Sequence, residues 1–270
     1  MKYDLTVSIV LFIDKNYGDL NVFRKCLQSL LSTNLNMKIF IIDNSPKKNN
    51  IPEFKNNNIE YVFLGKNIGF GRAHNIAIKK SKGISKYHLI LNPDVYFDKD
   101  VLVELKNFMD SNNEIAAVSP KILYQDGRIQ HLSKLLPNPV DLIFRRFIPF
   151  KEYLKKRNWI YEMRYKNYDQ MFFCPVISGS FIFTRTDILI KLKGFDERFF
   201  LYMEDVDLCR RMLKFGKIAY FPYVKVYHKF ERGSYKKLKY TLIHIISAIK
   251  YFNKWGWIDK DRNKINKKFI

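Results

Sequence analysis

The chain has 270 residues, with 48 Lys and Arg against 26 Asp and Glu, and a formal net charge of +22 at pH 7. A hydrophobic fraction of 47% excludes a largely disordered protein and is enough for one large domain with its own core. The charge favours an anionic partner, which is nucleic acid, an anionic membrane surface or a phosphorylated substrate. Its three cysteines form no Cys-x-x-Cys pair, so neither a disulfide framework nor a zinc site is expected.

The first half alternates short apolar runs with amphipathic segments. Strands are predicted at Val7–Phe12, Lys38–Ile42, Glu60–Leu64 and His88–Leu91. Helices are predicted at Phe23–Leu31, Gly71–Ser81 and Lys99–Met109. This alternation predicts an α/β fold with a mostly parallel sheet covered by helices on both faces. Ligands of such sheets bind beyond the carboxyl ends of the strands, where Asp43, Asn67 and Asp94 fall.

The second half mixes aromatic and basic residues. Phe144–Phe173 interleaves the two kinds, and further strands are predicted at Gly179–Thr184 and Lys225–His228. Lys236–Trp257 is predicted to be a helix, and Lys260–Lys268 a frayed tail. The apolar face predicted for the helix consists of Leu242, Ile245, Ile246, Ile249, Phe252 and Trp255. These segments are suited to an anionic leaflet, although a core-packing helix with solvated lysines is the alternative. No apolar run is long enough for a membrane span, and no signal peptide is expected.

The segment Gly194–Arg211 is unusual because it places acids among apolar and aromatic residues. The acids are Asp196, Glu197, Glu204, Asp205 and Asp207. Carboxylates held against apolar walls suggest a site where a proton is removed or a hydroxyl is positioned. The preference of acids for helix N-termini is the alternative and accounts for Asp207. It does not account for the neighbouring aromatic residues.

Two polar turns follow predicted strands and suggest a nucleotide site. Asp43 is suited to accepting the imide N–H of a uracil or thymine base, and an ordinary Asx turn is the alternative. The segment Asn67–Asn75 carries Gly69, Gly71 and Arg72 at the start of a predicted helix. Glycines and a positive charge there suit a phosphate group, but a lone Gly-x-Gly also occurs in ordinary turns.

Two further residues are candidate metal ligands. Asp94 lies in the turn Asn92-Pro93-Asp94, and a carboxylate there suits a divalent cation that bridges two phosphates. His228 shares its predicted side of a strand with Val224 and Val226, so it is expected to point inward. A plain turn and a buried structural histidine are the alternatives.

Taken together, the chain resembles the family 2 glycosyltransferases and, within them, the bacterial rhamnosyltransferase-like group. The resemblance covers about residues 6–229 and depends on the order of several motifs. They are Val7–Val10, Ile42–Ser45, Asn67–Asn75, Asn92–Asp94, Ser178–Phe181, Gly194–Glu197, Glu204–Arg211 and His228. The resemblance implies a GT-A fold, a Rossmann-like mostly parallel sheet flanked by helices, with a nucleotide-sugar half at about 1–120 and an acceptor half at about 121–230. Residues 231–270 are expected to form a basic helical appendage.

The resemblance also implies roles for individual residues. Asp205 matches the general base of an inverting transfer, and Asp94 and His228 match the ligands of a Mg²⁺ or Mn²⁺ ion. Asn92 stands where the family's Asp-x-Asp motif has its first acid. The implied donor-binding residues are Phe12, Asp43, Asn67, Gly69, Arg72, Asn92 and Asp94. The implied acceptor-binding residues are Ser178, Gly179 and Glu204.

The predicted function is therefore inverting transfer of a hexose, rhamnose being one candidate, in bacterial cell-surface polysaccharide synthesis. The expected partners are a dTDP- or UDP-linked sugar, a lipid-linked glycan acceptor and an anionic membrane, at the inner face of the cell membrane. A nucleic-acid-binding protein is the alternative from another class, because charge and interleaved aromatics permit it. No RNP signature, zinc module or recognition helix supports it. A catalytically silent glycan-binding relative is a further alternative.

Overall fold

The computed structural model describes residues 1–14, 18–143, 150–229 and 238–270. Its strands are β1 (Tyr3–Leu11), β2 (Met37–Asp43), β3 (Ile59–Phe63), β4 (Ser85–Leu91), β5 (Val95–Phe97), β6 (Ile115–Leu123), β7 (Phe172–Phe173), β8 (Phe181–Arg185) and β9 (Lys217–His228). Its helices are α1 (Leu20–Leu31), α2 (Phe70–Lys80), α3 (Val101–Ser111), α4 (Pro139–Leu142), α5 (Lys151–Tyr161), α6 (Thr186–Lys191), α7 (Glu204–Met212), α8 (Leu238–Trp255) and α9 (Lys260–Lys267).

One sheet runs through the whole domain in the order β3-β2-β1-β4-β8-β6-β9-β5. The strands from β3 to β4 are parallel, as their continuous apolar sequences predict, and β8 then pairs antiparallel with both β4 and β6. Because β6 and β9 run parallel to each other and antiparallel to β8, their carboxyl ends lie at the same edge as those of β1 to β4. This carboxyl edge is where the predicted site residues collect.

A chain of buried polar side chains joins α2 to the centre of the sheet. On β1, Ser8 Oγ lies 2.7 Å from His74 Nδ1 and 2.9 Å from His88 Nε2. Burial lowers the pKa of His88 to about 3 and that of His74 well below its usual value. Both imidazoles are therefore neutral, which lets them exchange hydrogen bonds with hydroxyl groups without a buried charge.

The C-terminal segment packs onto the domain. Ala248, Tyr251 and Phe252 of α8 are buried in the same hydrophobic cluster as Leu208 of α7. Asn266 of α9 accepts a hydrogen bond from Leu136 N and donates one to Leu136 O, each 2.9 Å long. The prediction of a frayed tail at residues 260–268 is therefore wrong, because α9 has a defined partner that the sequence does not reveal.

The buried face of α8 differs from the predicted one. Phe252 is buried as expected, but Leu242, Ile246 and Ile249 are exposed, while Ser247 and Tyr251 take the inner positions. Polar contacts from α8 to the segment before α7 explain this choice: Ser247 Oγ donates to Leu201 O and Lys250 Nζ to Arg198 O, both at 2.8 Å. An apolar strip is consequently left on the outer face of α8.

Three sequence predictions fall wholly or partly outside the described residues, and a fourth divides the sheet. The proposed boundary at 230/231 and the predicted start of the last helix fall within 230–237, outside the described residues. The first part of the basic aromatic segment, 144–149, also lies outside them. The predicted division near residue 120 falls inside β6, so one sheet continues through both halves.

Candidate functional site

The carboxyl edge of the sheet brings most of the predicted site residues together. Asp43 is the last residue of β2, and Asn92-Pro93-Asp94 joins β4 to β5. Ser178 and Gly179 precede β8, and His228 ends β9. Phe12, partly exposed, follows the end of β1 at the same edge. Residues that are far apart in sequence are thus placed beside one another by strand direction alone.

The two predicted metal ligands lie side by side. His228 Nε2 is 3.3 Å from Asp94 Oδ1, and Lys229 N donates to Asp94 O at 3.1 Å. The two side chains are differently exposed, since His228 is 4% and Asp94 33% accessible. Asp94 is therefore partly open to solvent, whereas His228 is buried beside it.

The tautomer of His228 follows from its other neighbour. Gln130 Nε2 donates to Leu123 O and to His228 O, which leaves Gln130 Oε1 facing His228 Nδ1 at 3.0 Å. An amide oxygen only accepts hydrogen bonds, so Nδ1 carries the proton. With Nδ1 protonated, Nε2 is the ring nitrogen that faces the Asp94 carboxylate, and the two groups can share either a proton or a metal cation.

The predicted base-binding carboxylate is enclosed. Asp43 is fully buried and accepts hydrogen bonds from Tyr61 Oη at 2.5 Å, Asn49 Nδ2 at 2.8 Å and Ser45 N at 2.8 Å. Burial, together with this contact to Asp43, raises the pKa of Tyr61. Two carboxylate oxygens accept about four hydrogen bonds, so one acceptor position is left for a nucleobase. The role of Asp43 stays a prediction. A nucleobase would reach its carboxylate only if the side chains of Asn49 and Tyr61 moved aside.

The Asn67–Asn75 segment forms a tight entry to α2. Asn67 Oδ1 accepts from Gly69 N at 2.9 Å, and Asn44 Nδ2 donates to Gly69 O at 3.2 Å. Gly69 has φ +95°, and a Cβ there would lie 2.6 Å from Phe200 O. Only glycine fits this position, because both the backbone conformation and the close approach exclude a side chain.

Helix α2 is also locked to the segment before α7. Asn75 donates from Nδ2 to Phe195 O at 2.9 Å and accepts from Phe195 N at 2.8 Å. Glu197 then receives Arg72 Nε at 3.1 Å and Asn75 Nδ2 at 3.2 Å. Two motifs separated by about 120 residues in sequence thus form one unit, and Arg72, expected near a diphosphate, is paired with Glu197.

Asp205 is bound to the sheet edge through backbone groups. Its Oδ2 accepts from Gly179 N at 3.0 Å, and its Oδ1 from Val206 N at 2.8 Å. Gly179 allows this approach, because a Cβ there would lie 3.2 Å from Asp205 Cβ. The turn containing Asp94 is adjacent, since Asn92 N donates to Ser180 O at 2.9 Å. The hydrogen bonds donated by Asn92 N and Gly179 N thus connect the turn that carries Asp94 to the carboxylate of Asp205.

Glu204 differs from its neighbour in being buried. It is 5% exposed, and burial followed by the nearby charge of Asp205 raises the pKa of Glu204 to about 8. Its Oε2 has no hydrogen-bond partner within the described part of the chain. A neutral carboxyl group at pH 7 can donate a hydrogen bond, so Glu204 is suited to holding an acceptor hydroxyl oxygen.

The five acids of the 194–211 segment therefore have distinct surroundings. Asp196 contacts Lys254 and Arg198, Glu197 contacts Arg72, and fully buried Asp207 contacts Lys254, Arg211 and Trp255. Asp205 is partly exposed, and no ion pair joins it to a described basic side chain. The contacts of Asp205 distinguish it from the three acids with structural ion pairs.

Sequence reasoning missed Gln130, Asn49 and Tyr61. Gln130 orients His228 from 98 positions away, and nothing in its local sequence indicates this contact. Asn49 and Tyr61 enclose Asp43 from a loop and from β3. Only knowledge of strand order brings these residues to the site.

Glu204 generates a prediction about pH. The pKa of Glu204 in the folded protein, about 8, lies above the usual value of 4.5. Its contribution to stability is therefore full below about pH 4.5 and is lost as pH rises through about 8. Glu204→Gln should reduce the decline in the free energy of unfolding between these values, measured by urea titration at several pH values. Glu114→Gln, at an exposed position, should keep the wild-type slope. Equal slopes for Glu204→Gln and the wild type would contradict the assignment.

Comparison with known proteins identifies the family. The sequence model of glycosyl transferase family 2 matches residues 15–192, more than half of the chain. Rhamnosyltransferase WbbL of Escherichia coli K12 is 26% identical over 232 residues, which are 82% of this chain and 83% of WbbL. The N-acetylglucosaminyl-diphospho-decaprenol L-rhamnosyltransferase of Mycobacterium tuberculosis H37Rv is 26% identical over 187 residues, and the match spans 63% of this chain and 59% of that protein.

A solved structure supports the fold. The mannosyltransferase PcManGT from Pyrobaculum calidifontis, in complex with GDP-Man and Mn²⁺, superposes with a TM-score of 0.58 at 13% identity. The match covers 93% of this chain and 65% of that one. The α/β fold of the GT-A type is therefore confirmed. The chain belongs to glycosyl transferase family 2 and is a glycosyltransferase.

Proposed function

We propose that this glycosyltransferase is inverting and uses a divalent cation to transfer a hexose from a nucleotide-diphosphate sugar to a glycan acceptor in bacterial cell-surface polysaccharide synthesis. One observation supports the proposal: the Asp94–His228 pair lies at the carboxyl edge of the sheet, and Asp205 is hydrogen-bonded to Gly179 at that edge. The nucleotide-sugar half at about 1–120 and the acceptor half at about 121–230 are proposed functional divisions of one sheet.

Asp94 and His228 fit a divalent cation. Adjacent ligands of an octahedral ion at about 2.1 Å are about 3 Å apart, close to the 3.3 Å between Asp94 Oδ1 and His228 Nε2. When bound, such an ion offsets the negative charge that grows on a departing diphosphate. The described residues contain no group of three or more His, Cys, Asp or Glu suited to a metal, so oxygens of the donor and water would complete the coordination. The Mn²⁺ in the mannosyltransferase complex agrees with a divalent cation.

Asp205 is the proposed general base. Its two oxygens each accept one backbone hydrogen bond, which fixes the carboxylate and leaves a further lone pair on each for a hydroxyl proton. An acceptor hydroxyl held by neutral Glu204 and by Ser178 would lose its proton to Asp205 as it attacks the anomeric carbon. A single attack of this kind inverts the configuration at that carbon.

The relatives suggest the donor and the acceptor. The names of both rhamnosyltransferases favour rhamnose as the transferred sugar. The donor proposed here is dTDP- or UDP-linked. The mycobacterial protein is named for a decaprenol-diphosphate acceptor, which favours a lipid-linked glycan here. Asp43 would contact the base, and Phe12, Asn67, Gly69, Arg72 and Asn92 would line the donor side, with Gly179 on the acceptor side.

Asp205→Asn tests the base. The amide keeps the shape and cannot take a proton, so transfer should fall by about 10²- to 10⁴-fold while donor binding persists. The donor would first be identified by thermal stabilisation across a nucleotide-sugar panel, and its affinity then measured by calorimetry. Asp187→Asn, an exposed acid on α6, is the matched control. Transfer by Asp205→Asn at the wild-type rate would show that the base assignment is wrong, whereas donor binding without transfer in the wild type would favour the silent relative.

Asp94→Ala tests the cation. Loss of one of two protein ligands should abolish the gain in donor affinity that Mn²⁺ gives the wild type, measured by calorimetry with and without the ion. Gln130→Leu should weaken the Mn²⁺ effect by about 10- to 100-fold, because His228 loses the partner that orients it. The control is Asp98→Ala, an exposed acid four positions after Asp94. A Mn²⁺ effect that survives Asp94→Ala would contradict the assignment.

We also propose peripheral association with the anionic inner face of the cell membrane. No helix among the described ranges is long and apolar enough to span a bilayer. The outer face of α8 nevertheless exposes Leu238, Leu242, Ile246 and Ile249 about one turn apart, at 76%, 52%, 52% and 38%. Its inner face contacts the 198–202 segment that precedes Glu204, and the net charge of +22 complements anionic lipid.

Vesicle flotation tests this association. The wild type should float with anionic vesicles at low salt, and the double change Leu242→Ser and Ile246→Ser should weaken binding about tenfold or more, since each side chain loses favourable burial of apolar surface. Leu31→Ser, at a residue 42% exposed at the end of α1, is the matched control. Failure of the wild type to float would contradict the proposed membrane association, and an equal loss of binding in the control would contradict the role of α8.

A further inference from the structure

A cavity of about 380 Å³ lies between α4, α5 and α9. None of the residues assigned to donor, acceptor or metal binding lines it. Its volume is in the range of small-molecule sites. The cavity is therefore a separate candidate for a ligand.

One part of the cavity wall is apolar. Leu135, Leu136 and Ile160 line it together with the rings of Tyr153 and Tyr161. The wall is fixed in place, since Asn266 on α9 exchanges two hydrogen bonds with the backbone of Leu136. A hydrocarbon chain fits such a surface, because its burial releases apolar surface from water.

The remaining lining carries an excess of positive charge. Lys156, Arg157 and Arg262 contribute three cations, and Asp141 contributes the one carboxylate. Arg157 Nε donates to Asp141 Oδ1 at 2.7 Å, so this pair is internally satisfied. Lys156 and Arg262 are left, and within the described residues neither forms an ion pair with an acid.

Arg262 is the lining cation that most clearly lacks a partner. Its Nη1 is buried without a hydrogen-bond partner among the described groups, and its other nitrogens reach only Asn263 Oδ1 at 3.4 Å. A buried guanidinium donor that lacks a partner is costly, and an anionic oxygen would satisfy it. The two excess positive charges match a phosphate monoester, which carries about −1.5 to −2 at pH 7, better than a carboxylate.

We propose that this cavity binds a long-chain phosphate monoester, with its phosphate on Arg262 and Lys156 and the start of its chain against Leu135, Leu136 and Ile160. The same chemistry is present in a prenyl phosphate and in a single-chain phosphatidate. The cavity is connected to α7, because Asp259 Oδ2 at the start of α9 lies 2.6 Å from Arg210 Nη2 of α7. The inference does not depend on the proposed transfer reaction, since binding is measured without donor or acceptor.

Binding to the full-length protein would be followed by calorimetry and by thermal stabilisation, with four probes below their micelle concentrations. They are a C15 prenyl monophosphate, a dodecanoyl lysophosphatidate, inorganic phosphate and dodecanoate. We expect the first two to bind at least about tenfold more tightly than the last two, because only they combine chain and phosphate. Tighter binding of the prenyl compound identifies a carrier lipid, and tighter binding of the phosphatidate identifies a bilayer lipid. Equal binding of the two supports a site for the phosphate and chain that they share. Equal affinity for inorganic phosphate or for dodecanoate would overturn the proposal.

Matched variants locate the site. Arg262→Gln and Lys156→Gln should each weaken binding of the better phosphate monoester by about tenfold or more, through loss of a charge-assisted hydrogen bond. Lys264→Gln on α9 and Lys155→Gln on α5 remove the same charge from positions that do not line the cavity, and they should bind as the wild type does. Equal losses in the two sets would show general charge attraction and reject the site. The wild-type probe series decides the chemistry even if one variant fails to fold.

Discussion

The hydrogen bond from Gly179 N to Asp205 Oδ2, 3.0 Å long, ties the acidic helix α7 to the edge of the sheet. It relates the Asp205 carboxylate directly to the turn after β4 that carries Asp94, because Ser180, next to Gly179, accepts from Asn92 N. The bond needs a residue without a side chain at position 179, since a Cβ there would press against Asp205 Cβ. The backbone of Gly179 and Ser180 therefore links Asp205 to the turn that carries Asp94, through Gly179 N and Ser180 O.

The segment leading into α7 is strained, and α8 holds it in place. Tyr202 and Met203 both have positive φ, at 68° and 69°, although neither is glycine. Each such residue costs about 1–3 kcal/mol and persists only where the surroundings determine it. The hydrogen bond from Ser247 to Leu201 O and the contact of the Tyr202 ring with His244 supply those surroundings. The C-terminal helix thereby fixes the direction in which Glu204 and Asp205 leave the turn.

The α/β alternation and the collection of polar turns at one edge followed from local sequence, because buried parallel strands read as continuous apolar runs. Strand β6 was not predicted, since it mixes small residues with Pro120, where its register with β9 shifts. The face of α8 was predicted from apolar residues alone and was half wrong. Its orientation depends on Lys254 and Trp255 reaching buried Asp207, a partner about 50 residues earlier. Local periodicity carries no information about such distant polar contacts.

The pairing of Arg72 with Glu197 bears on the predicted role of Arg72 at the donor diphosphate. Arg72 was predicted to lie near a diphosphate, yet its Nε donates to Glu197, and both side chains are about half exposed. An exposed pair of this kind contributes about 1 kcal/mol or less, so a diphosphate with several negative charges can compete for the guanidinium. Glu197 would keep its hydrogen bond from Asn75, and Asn75 would keep Phe195 in place. The proposed contact of Arg72 with a donor would therefore leave intact the backbone lock that positions the segment carrying Glu204 and Asp205.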